Sequence, residues 1–215
     1  MNFKRITILS GHYGSGKTNI AVNYALYLKS LGENVVIADL DIVNPYFRTK
    51  DSAKELEAAG IELIAPEFAG SNVDLPALPA AMYDIIFESE TVEFKTSSLF
   101  HSVLPTVMEA ITSVLRENNY NMLMVINMYR PLTSTPTDTV EILKEIEAAS
   151  GIPFTGLVNN SNLGTETTPQ TVLDSLPFIE RLSELSGLSV WLHTVEQSHF
   201  NALSTHIPNL LGLKL

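Results

Sequence analysis

Lys17 closes a run in which Gly11, Gly14 and Gly16 recur within six residues, and Thr18 follows it directly. This octet, GHYGSGKT over residues 11–18, has the spacing of a P-loop: a glycine, four residues, then Gly-Lys-Thr. The glycines permit a turn whose backbone N–H groups converge on phosphate oxygens, and a helix starting there presents its positive end to the same anion. Gly11, His12, Tyr13, Gly14, Ser15 and Gly16 are therefore expected to wrap a phosphate chain. Lys17 is expected to reach its terminal phosphates, and the Thr18 hydroxyl to coordinate magnesium.

A second constellation is ADLDIVNPYFRTKD, which sets Asp39 and Asp41 two residues apart at the end of an apolar run. Open α/β folds bind ligands beyond the carboxyl ends of their strands, so both carboxylates are expected at the ligand edge. There they would hold magnesium through water and orient the water that attacks a terminal phosphate. The alternative is an acid that caps a helix or closes a turn.

These groups need a scaffold, and the rest of the chain has the pattern of one. Short apolar runs alternate with amphipathic stretches, the form of a parallel sheet covered by helices. Strands are expected over 5–9, 34–39, 61–64, 122–127, 154–158 and 190–194, and helices over 18–30, 52–59, 99–116, 139–149 and 169–185. Gly32, Gly60, Gly151 and Gly187 follow helices, Asp138 with Glu141 resembles a capping box, and Thr168 before Pro169 suits a helix start. Pro177 should kink or divide the last helix. Two runs compete for one more strand: YDIIFE over 83–88, ending in Glu88, and TVEFKT over 91–96, which carries Glu93 and Lys95. The fold expected is α/β, three-layered and doubly wound around a mostly parallel sheet. It is one nucleotide-binding domain over residues 1–215, with its core in 1–196 and a tail over 197–215.

Charge and composition narrow the partners. A net charge of −11, from 24 acidic against 13 basic side chains, repels a phosphate backbone, so nucleic acid is not an expected partner. No cysteine is present, which excludes disulfides and thiolate metal centres and fits a cytoplasmic protein. No apolar run approaches the roughly 20 residues that span a bilayer. The terminal THIPNLLGLKL has an apolar stripe with only Lys214 as a base, so stable membrane association is not expected either. His193, His199 and His206 lack a metal-binding spacing, and Arg48 and Arg130 are loop residues that would contact phosphate or simply be solvated.

Taken together, GHYGSGKT, a strand ending DLD some 25 residues later, and GLVNNSNLG after a late strand resemble the MinD/ParA group of P-loop ATPases, relatives of the nitrogenase iron protein. ADLDIVNPYFR, DLPALP and LVNNSNLG are similar to runs in a less characterised branch of that group. The resemblance implies ATP and magnesium as ligands, an adenine-reading role for Asn160 with Asn159 as the nearer alternative, a protein partner and a possible homodimer. The bland alternative for Asn160 is a turn residue. Two positions depart from the group. His12 stands where dimer-forming members carry a second lysine that crosses to the partner's nucleotide, and alignment through DLPALP sets Lys95 where an acidic residue is expected.

The resulting expectation is a slow, magnesium-dependent ATPase acting as a switch, with Lys17, Asp41 and Asp39 as its catalytic residues. The alternatives are a nucleotide-binding regulatory protein without turnover and a small-molecule kinase. The kinase lacks the basic lid that phosphoryl transfer uses.

Overall fold

The computed structural model describes residues 4–39, 49–64, 91–95 and 120–214. The chain runs β1 (Ile6–Ser10), α1 (Lys17–Ser30), β2 (Val35–Asp39), α2 (Thr49–Ala58), β3 (Glu62–Ile64), β4 (Thr91–Lys95) and β5 (Tyr120–Ile126). It continues through α3 (Pro136–Ser150), β6 (Gly156–Asn159), α4 (Pro169–Leu173), α5 (Leu176–Ser186), β7 (Val190–Glu196), α6 (Gln197–Leu203) and β8 (Leu210–Leu213). Asp41, Arg48, the run over 83–88 and the helix expected over 99–116 lie outside the described residues.

The described strands form one sheet in the order β3-β2-β4-β1-β5-β6-β7-β8, and every neighbouring pair is parallel. β1 lies inside the sheet and is buried along its whole length, Thr7 and Ser10 included. The alternation of β5 shows how two layers of helix are held. Met122, Met124 and Ile126 pack with Leu143 and Ile146 of α3 and Ile179 and Leu182 of α5. The intervening Leu123 and Val125 face Ile20 and Ala21 of α1. Each fully buried aliphatic side chain of this kind contributes roughly 1.5–3 kcal/mol, so the sheet is held from both sides. This is a three-layer, doubly wound α/β fold around a parallel sheet, as expected.

Where the structure differs from the sequence reading, local chemistry explains it. α3 starts at Pro136 rather than 139, and its N-cap is Thr135, whose hydroxyl accepts from the Asp138 N–H at 3.2 Å. Asp138 is thus the third residue of the helix, and no Asp138–Glu141 box forms. Thr168 caps α4 as expected, in a reciprocal box with Thr171. The expected 169–185 helix is divided, and Pro177 lies in the first turn of α5, where a missing N–H costs nothing. Of the two competing strand runs, Thr91–Lys95 is β4, between β1 and β2. The segment after 196 is not an appendage: α6 covers β7, and β8 extends the sheet beyond it in register from His193↔Leu210 to Glu196↔Leu213. Its apolar stripe is an edge strand entered through Asn209, at φ 50°.

Candidate functional site: a phosphate loop braced by three strand ends

The chain leaves β1 at Ser10 and turns through residues 11–16 into α1. Gly11 has φ 148°, and a Cβ there would collide with the Val125 carbonyl oxygen on β5. Gly16, at φ 91°, caps α1, and a Cβ there would meet the Asn160 side-chain nitrogen. Both glycines are therefore required by close approach as well as by conformation. No side chain caps α1, and its first turn carries no acid, so its positive end faces the loop unneutralised. Lys17 is buried, and its Nζ donates to the carbonyls of Gly11 at 2.9 Å and His12 at 3.1 Å, folding the ammonium under the loop. The Ser15 hydroxyl is buried with no hydrogen-bond partner among the described residues.

The loop is braced from behind by the ends of β5, β6 and β7. Asn160, 5% exposed, donates from Nδ2 to the Ser15 carbonyl at 2.6 Å and accepts at Oδ1 from the Thr194 hydroxyl at 2.5 Å. Its backbone N–H donates to the Ile126 carbonyl. One side chain thereby joins the P-loop, β6 and β7. Asn159 turns inward, donating to Ser175 Oγ and accepting from Ser161 Oγ. Asn127, fully buried at the end of β5, accepts from the N–H groups of Tyr129 and Asn162 and donates to the Asn162 carbonyl. Thr133 closes the same turn by donating to the Asn127 carbonyl at 2.7 Å.

That turn carries Arg130 back to the loop, where its Nε donates to the Gly14 carbonyl at 3.2 Å. Gly14, Gly16, Thr18, Arg130 and Asn160 line a cavity of about 630 Å³. It continues between the 162–167 loop, the end of β7 at Thr194–Glu196 and Leu213–Lys214, with Ser52 and Glu55 of α2 at its margin. A volume of this size suits a small-molecule ligand such as a nucleotide. Lys214 is held there by Asn23 of α1, which exchanges side-chain hydrogen bonds with its backbone N–H and C=O.

The expected site residues thus take distinct places. Gly11, Gly14, Ser15, Gly16, Lys17 and Thr18 form the loop and helix start. Tyr13 sits at the tip, 70% exposed, and His12 turns its Nδ1 toward the Tyr13 carbonyl at 3.0 Å. Asp39 ends β2 and pairs in register with Lys95 of β4, which in turn pairs with Leu9 of β1. Asp41 is outside the described residues. Asn127, Ser161 and Thr194 were not anticipated; Arg130, expected as a loop candidate for phosphate, is here bonded to the Gly14 carbonyl. The available signal was modest: a polar residue directly after an apolar strand, as at Asn127, marks the ligand edge of an α/β sheet.

His193 is buried on β7, and burial lowers its pKa below the usual imidazole value; Asn159 Nδ2 lies 3.4 Å from its Nδ1. Burial, followed by the charge of Asp174, raises the pKa of Tyr129, whose hydroxyl donates to the Thr171 carbonyl. Among the described residues no group of three His, Cys, Asp or Glu side chains is placed to hold a metal, and no helix is long and apolar enough to cross a membrane.

No protein-family model matches the chain, and no curated protein matches it in sequence. Solved structures do match. The crystal structure of FlhF complexed with GTP/Mg(2+) aligns over 91% of this chain and 67% of its own, with a TM-score of 0.56 at 15% identity. FtsY from Thermotoga maritima aligns over 89% of this chain and 62% of its own, with a TM-score of 0.54 at 18% identity. FtsY from Mycoplasma mycoides gives 90%, 60% and 0.57, also at 18% identity. The chain therefore spans about three fifths to two thirds of the length of these proteins, and the likeness is one of fold.

Proposed function

We propose that this chain binds ATP with magnesium at the P-loop and uses slow hydrolysis to switch its affinity for a protein partner. The observation that carries the reading is the loop itself: an uncapped helix start, a buried Lys17 held beneath it and an unpartnered Ser15 hydroxyl, opening on a nucleotide-sized cavity. These features fit a phosphate chain. Magnesium would be held by the Thr18 hydroxyl with Asp39 and Asp41, and bound magnesium would supply charge neutralisation at the terminal phosphates. In this reading Lys17 binds the phosphates and Asp41 orients water. The 41–48 segment responds to the terminal phosphate and forms the partner surface, a second copy of the chain included.

The resemblance to MinD/ParA proteins supports adenine as the base, read by Asn160. Its carboxamide retains one N–H and one lone pair beyond the contacts to Ser15 and Thr194, enough for a base edge. A guanine nucleotide is the second reading, supported by the GTP/Mg(2+) bound in the FlhF structure.

Thermal unfolding with each nucleotide tests both readings. Magnesium-ATP at about 100 times its Kd should add ~2.7 kcal/mol, a rise in Tm of roughly 5–10 °C for a chain of this size, and GTP should give less. Lys17→Ala should abolish the shift, and phosphate release from ATP alone should stay well below about 10 per second. A shift that survives Lys17→Ala would place the nucleotide elsewhere, and an equal or larger shift with GTP would replace adenine by guanine.

A further inference from the structure

We propose that Arg130 is a second cationic phosphate contact supplied by the same chain, one that distinguishes a nucleoside triphosphate from a diphosphate. The inference rests on the P-loop reading above but not on the identity of the base. Arg130 lies 116 residues from Gly14 in sequence, yet its Nε donates to the Gly14 carbonyl at 3.2 Å. Its guanidinium carbon and one terminal nitrogen lie 3.6 and 3.9 Å from the position a Gly14 Cβ would take. That single bond through Nε fixes the plane of the guanidinium and leaves the terminal nitrogens, with their four N–H groups, for another acceptor. The side chain is exposed, lines the cavity and has no acidic partner among the described residues.

Its support is built rather than incidental. Arg130 follows β5 in a turn closed by the Arg130 N–H to the Asn127 carbonyl, by the Thr133 hydroxyl on the same carbonyl, and by Asn127 gripping the 162 loop. Tyr129 beside it is tied to α4 through the Thr171 carbonyl. A turn held at so many points delivers the guanidinium to one place over the rim of the P-loop. A planar fork there matches phosphate oxygens in geometry and charge. Lys17 approaches from beneath the loop, so the two cations would bracket the phosphate chain. Glu55 and Glu196 also line the cavity and would repel a phosphate chain, which makes a cation localised at the loop more consequential.

The test is calorimetric binding of ATP and ADP, and of GTP and GDP, with magnesium, to the unmutated chain, Lys17→Ala, Arg130→Gln and Arg130→Lys. Arg130→Gln keeps an amide donor for the Gly14 carbonyl while removing the charge. It should weaken the triphosphate about ten-fold or more and the diphosphate by less than about three-fold, with Tm in the absence of nucleotide unchanged. Arg130→Lys should recover part of the loss, and raising the salt concentration should narrow the difference between unmutated chain and Arg130→Gln. Equal weakening of both nucleotides would assign Arg130 to bracing the loop and overturn the proposal, as would no weakening of either. Tight nucleotide binding that is insensitive to Lys17→Ala, or no binding at all, would overturn the P-loop reading and this inference together. A preference for GTP that still collapses in Arg130→Gln would leave this inference standing and remove only the choice of adenine.

Discussion

β4 and β5 flank the same strand, β1, and end in residues of opposite character. β5 is an uninterrupted buried run that ends in Asn127, and its exit turn is tied to β6, to the 162 loop and, through Arg130, to Gly14. β4 has the sequence TVEFK, and its last residue, Lys95, stands in register between Leu9 and Asp39. The strand on one side of β1 thus leads into amides, hydroxyls and the Arg130 guanidinium that tie the loop in place, and the strand on the other side ends in sequence at Lys95, where the resemblance calls for an acidic residue. The difference separates two jobs. Holding a loop in shape needs directional hydrogen bonds, which the exit of β5 supplies, whereas the magnesium proposed above would need negative charge, which the last residue of β4 does not carry.

The comparison can be broken most severely on the β5 side. Gly11→Ala forces a side chain at φ 148° into the Val125 carbonyl and should cost on the order of 3 kcal/mol, lowering Tm by roughly 6–12 °C. A loss below about 1 kcal/mol would show that β1 and β5 can separate at this point without penalty. Next in size is Asn160→Ala, which leaves the Ser15 carbonyl without its side-chain donor and the Thr194 hydroxyl with only its longer bond to the Asn159 carbonyl at 3.3 Å. About 2 kcal/mol is expected, read by denaturant unfolding, together with faster amide exchange at residues 15–17. Protection at those amides equal to the unmutated chain would mean that the brace is dispensable.

The β4 side offers the converse experiment. Lys95→Asp puts an acidic residue at the end of β4, in register with Asp39, and magnesium-dependent ATP turnover should rise about ten-fold, equivalent to ~1.4 kcal/mol in the barrier. Asp41→Ala in the same background should reverse the gain. Turnover unchanged or reduced in Lys95→Asp would show that the lysine is not what limits hydrolysis.

The smallest effect expected is a pH dependence at the far end of the network. Burial disfavours the charged His193 imidazole in the folded chain, so between the lowered folded pKa and the ordinary unfolded one the unfolded chain binds more proton. Stability should accordingly fall as pH drops below about 6.5 toward the lowered folded value, and level off beneath it. His193→Gln should flatten that part of the profile in urea unfolding between pH 7.5 and 5.5, and an unaltered slope would assign the dependence to other groups.

Much of this molecule was legible from local pattern. Period, turn chemistry and capping residues are properties of neighbours in the chain, so the P-loop spacing, the strands around residues 6, 35, 62, 122, 156 and 190, and the αL glycines closing α3 and α5 follow from the sequence. The choice between the runs at 83–88 and 91–96 did not, because both have strand-like stretches and only pairing with β1 and β2 selects Thr91–Lys95 as β4. β8 was missed for a related reason: four residues, three half-buried and one buried, carry no periodicity, and the edge of β7 is what makes them a strand. The site divides in the same way. The sequence determined by itself that a phosphate loop precedes a helix, since that chemistry is packed into eight consecutive residues. Tertiary structure alone decided that Asn160 would hold Ser15 from 145 positions away and that Arg130 would reach Gly14. Such contacts arise where parallel strands end at one edge of a sheet, and strand order is set by long-range hydrogen bonding and by burial on both faces, which no local window contains.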